Sequence, residues 1–160
     1  MIYCKKASLE DLETLWDREI AENPDDPRYL RWKERVLSCN RSGRAATFLA
    51  LSDGSAVGQV TLDRYADGYS GNRAPLADGI STAYINSLRI DPEWVGQGHA
   101  TALIHTLECW AKSQGYSRLT IGVEADAERT RAIYQHWGYD QFVMAEEDDG
   151  ELVLFYAKKL

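Results

Sequence analysis

At 160 residues the chain suits one domain of ordinary size, long enough to bury most of the surface its unfolded form exposes without disulfide or metal staples. Its 44% hydrophobic and 27% charged residues give a globular composition, and a net charge of −7 argues against nucleic acid as a main partner, because phosphate contact needs a basic face. No stretch approaches the roughly 20 apolar residues of a membrane helix, Met1-Ile2-Tyr3-Cys4-Lys5-Lys6 lacks a signal-like apolar core, and the separated Cys4, Cys39 and Cys109 suggest neither zinc nor disulfides, so no membrane partner is expected and the cytoplasm is the expected location.

Ile2 to Ala7 reads as a first strand. Ser8 and Asp11 form a capping-box pattern, and Leu9, Leu12, Leu15, Trp16 and Ile20 follow at helical spacing. Asn23-Pro24-Asp25-Asp26-Pro27 breaks that helix, and a second carries Tyr29, Leu30, Trp32, Val36 and Leu37. Ala45 to Leu51 and Val57 to Leu62 read as strands joined by a hairpin turn at Asp53-Gly54. Tyr65 to Ile80 is long for a loop and is expected to be mobile or functional. Ala83 to Ile90 is a strand stopped by Asp91-Pro92, and Ala100 to Ser113 an amphipathic helix closed by Gly115. Leu119, Ile121 and Val123 alternate as a buried strand face. Glu128 to Trp137 is a short helix ended by Gly138, and Tyr139 to Met144 pairs with Leu152 to Tyr156 around Asp148-Asp149-Gly150. The order predicts a mixed, mostly antiparallel sheet of about seven strands with helices on both faces. Its one parallel crossover runs from residue 83 to 123.

Between the strand ending at Ile90 and the helix opening at Ala100 lies Trp94-Val95-Gly96-Gln97-Gly98-His99. The first amides of a helix lack intrahelical acceptors, and the macrodipole places about +0.5 charge there, so such a start attracts anions. Gly96 and Gly98 let a phosphate approach the backbone closely, and Ala100 is too small to block it. No GxxxxGK[ST] string exists, and Gly96-Gln97-Gly98-His99-Ala100-Thr101 fails the dinucleotide pattern at its sixth place, although the acidic Glu124 ends the next strand. A tight turn that simply starts a helix is the third alternative, and a coenzyme-A pyrophosphate site the fourth.

The segment Ile85 to Ala100 resembles the signature of the GNAT superfamily of N-acetyltransferases: Leu88 and Ile90 in the strand core, Asp91-Pro92 at the break, and Gly98 and Ala100 at the last two signature positions. Val95 stands where the family usually has Arg or Gln. A second block, Ala127 to Tyr139, is similar through Tyr134, Gly138 and Tyr139, with Ala127 and Thr130 departing from the usual Asn and Ala.

The resemblance implies one α/β (α+β) acetyltransferase domain over residues 1–160, its sheet splayed between the fourth and fifth strands. It also implies acetyl-CoA as acyl donor, with Leu88, Arg89 and Ile90 beside the thioester and pantetheine. Val95, Gly96, Gln97, Gly98, His99, Ala100 and Thr101 would then hold the pyrophosphate, and Tyr134 would contact the cofactor and protonate the leaving thiolate. Without the resemblance, Tyr134 reads as a packing aromatic.

A lysine-like acceptor must lose a proton, at about 4–5 kcal/mol at pH 7, so a base is expected. Tyr84 and Asn86, on the strand before the loop, are poor bases. Glu124 ranks first, followed by Asp63, Asp67 and Asp78. His99, His105 and His136 share no metal-ligand spacing, so no metal is expected. Trp16, Tyr29 and Trp32 read first as core and second as an aromatic wall for a cation. The expected partners are acetyl-CoA and a cationic amine: an aminoglycoside-like compound, polyamine, amino acid or protein amine. Homodimerisation is left open. The rival reading is a non-catalytic acyl-CoA-binding module, favoured by Val95, Ala127 and the absence of a carboxylate on the strand before the loop.

Overall fold

The structure is a computed structural model that describes residues 2–67 and 72–160. Its elements follow in the order β1 (Tyr3–Lys6), α1 (Leu9–Glu22), α2 (Arg28–Ser42), β2 (Ala45–Ser52), β3 (Ser55–Asp63), β4 (Thr82–Ile90), α3 (His99–Ser113), β5 (Arg118–Glu124), α4 (Glu128–His136), β6 (Gln141–Asp148) and β7 (Glu151–Lys159). Short 3-10 turns occupy Ala74–Leu76 and Pro92–Trp94. The seven strands order as β1-β2-β3-β4-β5-β7-β6, with β4 and β5 parallel, which is the expected mixed α/β class. Among the described residues no helix is long and apolar enough to cross a membrane. Residue contacts divide into two compact units, Met1–Thr61 with Leu88–Thr106, and Leu62–Ser87 with Leu107–Leu160.

In the first unit, Ser8 Oγ accepts from the Asp11 amide at 3.1 Å and Asp11 returns the bond to the Ser8 amide at 2.8 Å, so the predicted capping box fixes where α1 starts. The apolar stripe of α1 then buries Leu12 and Leu15 against Ala7 and Leu49, with Val36 and Leu37 of α2 packed beside them. Asp53 and Gly54 both take positive φ, 50° and 80°, as the two-residue turn between β2 and β3 requires.

In the second unit, β5 pairs in parallel with the first half of β4, from Thr82↔Arg118 to Ile85↔Ile121. On its other side it pairs antiparallel with β7, from Arg118↔Lys159 to Glu124↔Val153. Leu119, Ile121 and Val123 are buried as predicted, but so is Thr120, whose hydroxyl donates to the Leu76 carbonyl at 2.7 Å. That bond lets a polar residue sit on a covered face. Ala66, Leu76, Ala77, Tyr84 and Phe155 form one core cluster here.

The predicted loop from 65 to 80 is pinned where it begins and ends. Tyr65 and Asp78 form an isolated bridge at its base, while residues 68–71 lie outside the described residues. The last hairpin is longer than the sequence suggested. β6 begins at Gln141 and runs through Glu146 and Glu147 to Asp148, and the turn is the positive-φ pair Asp149 and Gly150. Tyr139 precedes the strand as a fully buried ring whose hydroxyl donates to Glu108 at 2.7 Å.

Candidate functional site

The glycine loop lies wholly within the first unit. β4 delivers the chain to Asp91, whose amide donates to the Val57 carbonyl at 2.8 Å, and the Pro92–Trp94 turn reverses it. Gly96 and Gly98 have φ of +83° and +91°, which only glycine adopts without strain. A Cβ at Gly96 would meet nothing within 4 Å, so the space beside Gly96 is open, whereas one at Gly98 would meet Ile2 Cδ1 at 3.3 Å. The helical ladder starts with the Ala102 amide donating to the Gly98 carbonyl at 3.0 Å, so the amides of His99, Ala100 and Thr101 lack intrahelical acceptors. This is the geometry of an anion cradle, at the start of a 15-residue helix.

The loop side chains divide sharply. Val95 is extended and 64% exposed, a hydrocarbon that contributes no charge to the cradle. Gln97 turns its carboxamide back onto the Glu93 carbonyl at 3.1 Å, a bond that ties the loop together. His99, read from sequence as either a cofactor neighbour or a surface residue, is buried at 5% exposure. Its ring meets Trp94 edge to face at 5.6 Å, and its Nδ1 has no hydrogen-bond partner.

Upstream of the loop, Leu88 and Ile90 are half-buried while Arg89 is exposed. The Arg89 guanidinium stands 3.6 Å from the buried carboxylate of Glu19, which also has Arg18 at 3.6 Å. Sequence reading missed Glu19, although it continues the buried stripe of α1 after Leu12, Leu15 and Trp16. Trp16, Tyr29 and Trp32 touch in series, with centroids 6.3 and 4.9 Å apart, and Arg28 already sits over the Trp32 ring at 5.2 Å. The chain's own cation is therefore already stacked on one of the three rings.

The second unit holds the remaining candidates. Tyr84 is buried against Phe155, and burial pushes its phenol up to about 12, so it serves as no base. Asn86 donates to Asp63 and accepts from the Ser87 hydroxyl at 2.8 Å. Ser87 itself takes a φ of 56° inside β4, just beyond the register shared with β5. Asp78, a ranked base candidate, is fully engaged: Oδ1 accepts from the amides of Ile80, Ser81 and Thr82, and Oδ2 from the Ser81 hydroxyl. Those bonds, led by the one from Thr82, hold its carboxyl well below the usual range, which removes it as a base.

Tyr134 lies on α4, half-buried, its ring stacked on Trp137 at 5.4 Å and 22°. Burial raises its phenol above the ordinary value, so it stays protonated at neutral pH. Glu124 is exposed at the end of β5, and its carboxylate lies within 4.8 Å of those of Asp126 and Glu151. Among the described residues the cysteines form no disulfide; Cys4 and Cys39 are half-buried and Cys109 is exposed.

The acetyltransferase (GNAT) family model matches residues 8–139. Solved structures share the fold over nearly the whole chain. An N-acetyltransferase from Staphylococcus aureus Mu50 superposes with a TM-score of 0.72 at 17% identity, covering 99% of this chain and 98% of the other. The ribosomal-protein-S18-alanine N-acetyltransferase from Escherichia coli gives 0.71 at 17%, over 99% and 94%. The PaiA N-acetyltransferase from Thermoplasma acidophilum, solved in complex with coenzyme A, gives 0.63 at 20%, over 100% and 99%.

Proposed function

The chain belongs to the GNAT family of acetyltransferases, and we propose that it moves an acetyl group from acetyl-CoA to an amine by direct attack, as a single domain spanning residues 1–160. The observation that carries the donor half is the cradle: two positive-φ glycines with open space above Gly96, ahead of a helix start whose amides of His99, Ala100 and Thr101 face no intrahelical acceptor. Those amides, with the backbone of Val95, Gly96, Gln97 and Gly98, would hold the pyrophosphate. The backbone of Leu88, Arg89 and Ile90 would align the thioester and pantetheine. A neighbour of this fold solved with coenzyme A supports the same donor.

The acceptor nitrogen forms its bond to the acetyl carbon as the carbon–sulfur bond breaks, and the electron pair leaves on sulfur. Tyr134 points its phenolic O–H at that sulfur as the group that meets the developing thiolate. A phenol raised above about 10 facing a thiol of about 8.5 makes full transfer uphill by at least about 2 kcal/mol. Tyr134 therefore acts chiefly through a hydrogen bond that strengthens as charge grows on sulfur. Glu124 would take the amine's proton, directly or through water, and its setting beside Asp126 and Glu151 favours a cationic acceptor. Among acceptor classes, the alanine amine of a protein is suggested by the name of the E. coli neighbour, beside polyamines, amino acids and aminoglycoside-like compounds.

The test is a panel of those amines incubated with acetyl-CoA and the purified chain, with released thiol as readout. Thiol release that depends on one amine class is the expected result. Intact thioester across the whole panel, with coenzyme A still bound, would point instead to the acyl-CoA-binding module.

A further inference from the structure

Glu19 of α1 and Gln59 of β3, both in the first unit, are buried at 5% and 7% exposure. Among the described residues neither end group makes a hydrogen bond. Glu19 has only the guanidiniums of Arg18 and Arg89, each at 3.6 Å, and Gln59 has no side-chain partner. A buried polar group left so is unfavourable, and folded chains rarely keep one without a use for it. The two residues line one small cavity together with Arg18, Arg89 and Asp91. It measures about 10 Å³, room for one water-sized group. Among the described residues only Trp16 Nε1 and His99 Nδ1 are fully enclosed without a partner, so the ends of Glu19 and Gln59 are not sealed in the core.

The charges around the cavity cancel, Glu19 and Asp91 against Arg18 and Arg89. The two arginines differ. Arg18 donates to the Ala56 carbonyl at 2.9 Å, and its other terminal nitrogen is shared between Glu19 and Asp91. The Arg89 side chain is 54% exposed, has Glu19 as its ionic contact and makes no hydrogen bond among the described residues. Its planar fork is therefore open to a carboxylate. An unbonded carboxylate and an open guanidinium 3.6 Å apart are both satisfied, with no net charge added, by a ligand carrying an ammonium beside a carboxylate.

We propose that this cavity takes the head of an α-amino acid, its ammonium on Glu19 and Gln59 and its carboxylate on Arg89. An ammonium held between those groups keeps its proton and cannot attack, so the acetyl group goes to a second amine at the end of the ligand's side chain. Arg89 reaches the cavity from the strand whose backbone would align the thioester. An arm as long as that of lysine or ornithine, running back beside Arg89, returns to that strand. The proposal rests on the acetyl-transfer reading above and narrows its acceptor to diamino acids. Each hydrogen bond to a charged group corresponds to about a tenfold or larger change in affinity.

The experiment is thiol release from acetyl-CoA with lysine and ornithine, with cadaverine and putrescine, which lack the carboxylate, and with Nα-acetyl-lysine, which lacks the ammonium. Lysine or ornithine should give a kcat/KM at least about tenfold above the compounds missing either group. NMR of the product should place the acetyl group on the side-chain nitrogen. Glu19→Gln and Gln59→Leu should each raise KM for the diamino acid about tenfold or more while still binding coenzyme A, which reports a folded chain. Arg89→Met should abolish the preference for lysine over cadaverine, a ratio from which any change in donor binding cancels.

Equal turnover of lysine and cadaverine by the wild-type chain overturns the proposal alone, as does acetylation of the α nitrogen or turnover of other amines only. An unchanged KM in Glu19→Gln and Gln59→Leu would mean that the cavity holds a water and nothing more, and would overturn it too. Thiol release with no amine at all sinks the acetyl-transfer reading, and this proposal with it.

Discussion

Tyr134 and Trp137 lie one helical turn apart with their rings stacked at 5.4 Å and 22°, so the phenol is held by its face and its hydroxyl is left to act. Tyr134→Phe keeps that stack and removes only the hydroxyl. Turnover should fall at least tenfold while affinity for acetyl-CoA barely changes, measured as kcat against directly determined Kd. Unaltered turnover would return Tyr134 to a packing role.

Gly96 separates two effects that usually come together. A Cβ there meets no atom within 4 Å, yet φ is +83°, so Gly96→Ala strains the backbone by about 1 kcal/mol and places a methyl where a phosphate would approach. Coenzyme A affinity should fall at least tenfold, with Tm lower by only a few degrees. Equal affinity in the variant would mean that the loop is a helix start and nothing more.

How far these features could be read beforehand depended on whether their cause was local. The capping box of α1, the Asp53-Gly54 turn and the β4–loop–α3 passage rest on neighbours within a few residues, and all were legible. His99 was legible too, but by a signal left unread. It begins the series 99, 103, 107, 111, in which Leu103, Leu107 and Ala111 are all fully buried, so helical spacing places its ring inward. Ser87 gave no such sign, because a left-handed φ is marked in sequence by glycine or asparagine rather than serine. Glu19 could be placed on the inner face of α1, but its partner Arg89 is 70 positions away and only the folded chain brings them together. Asp78 looked like a free carboxylate in a loop because nothing in a sequence reveals that three consecutive amides will turn toward it.

That same Asp78 makes a pH prediction. Its folded pKa is depressed below the unfolded value of about 3.9, chiefly by the Thr82 amide. A depressed carboxylate contributes stability that is fully present above the unfolded value and is lost as pH falls through the folded one. Asp78→Asn should therefore lower stability by about 1 kcal/mol at pH 7, in line with loss of a cap. The gap to wild type should shrink as pH drops below about 4. Denaturant unfolding at pH 7, 5, 4 and 3 measures this; a gap that stays constant across the series would show that the hydrogen bonds do not discriminate between the charged and neutral forms.

Arg73 lies in the same loop, but its role is set from afar. Its side chain is 5% exposed, with Nε on Glu146 at 3.0 Å, a terminal nitrogen on Asp148 at 2.9 Å and the guanidinium 5.4 Å from the Phe155 centroid. The two acids are not equivalent. Glu146 is 15% exposed and Asp148 47%, so water screens the second pair far more than the first. Asp148→Asn should cost no more than about 0.5 kcal/mol and lose even that in high salt. Glu146→Gln should cost about 2 kcal/mol, because it leaves a buried guanidinium short of its better-shielded partner. Arg73→Met should cost about as much or more, since it strands Glu146 and keeps only the hydrocarbon contact with Phe155. Equilibrium unfolding of the three variants at low and high salt ranks them. If Asp148→Asn proves as damaging as Glu146→Gln, exposure is not what decides the strength of this clasp.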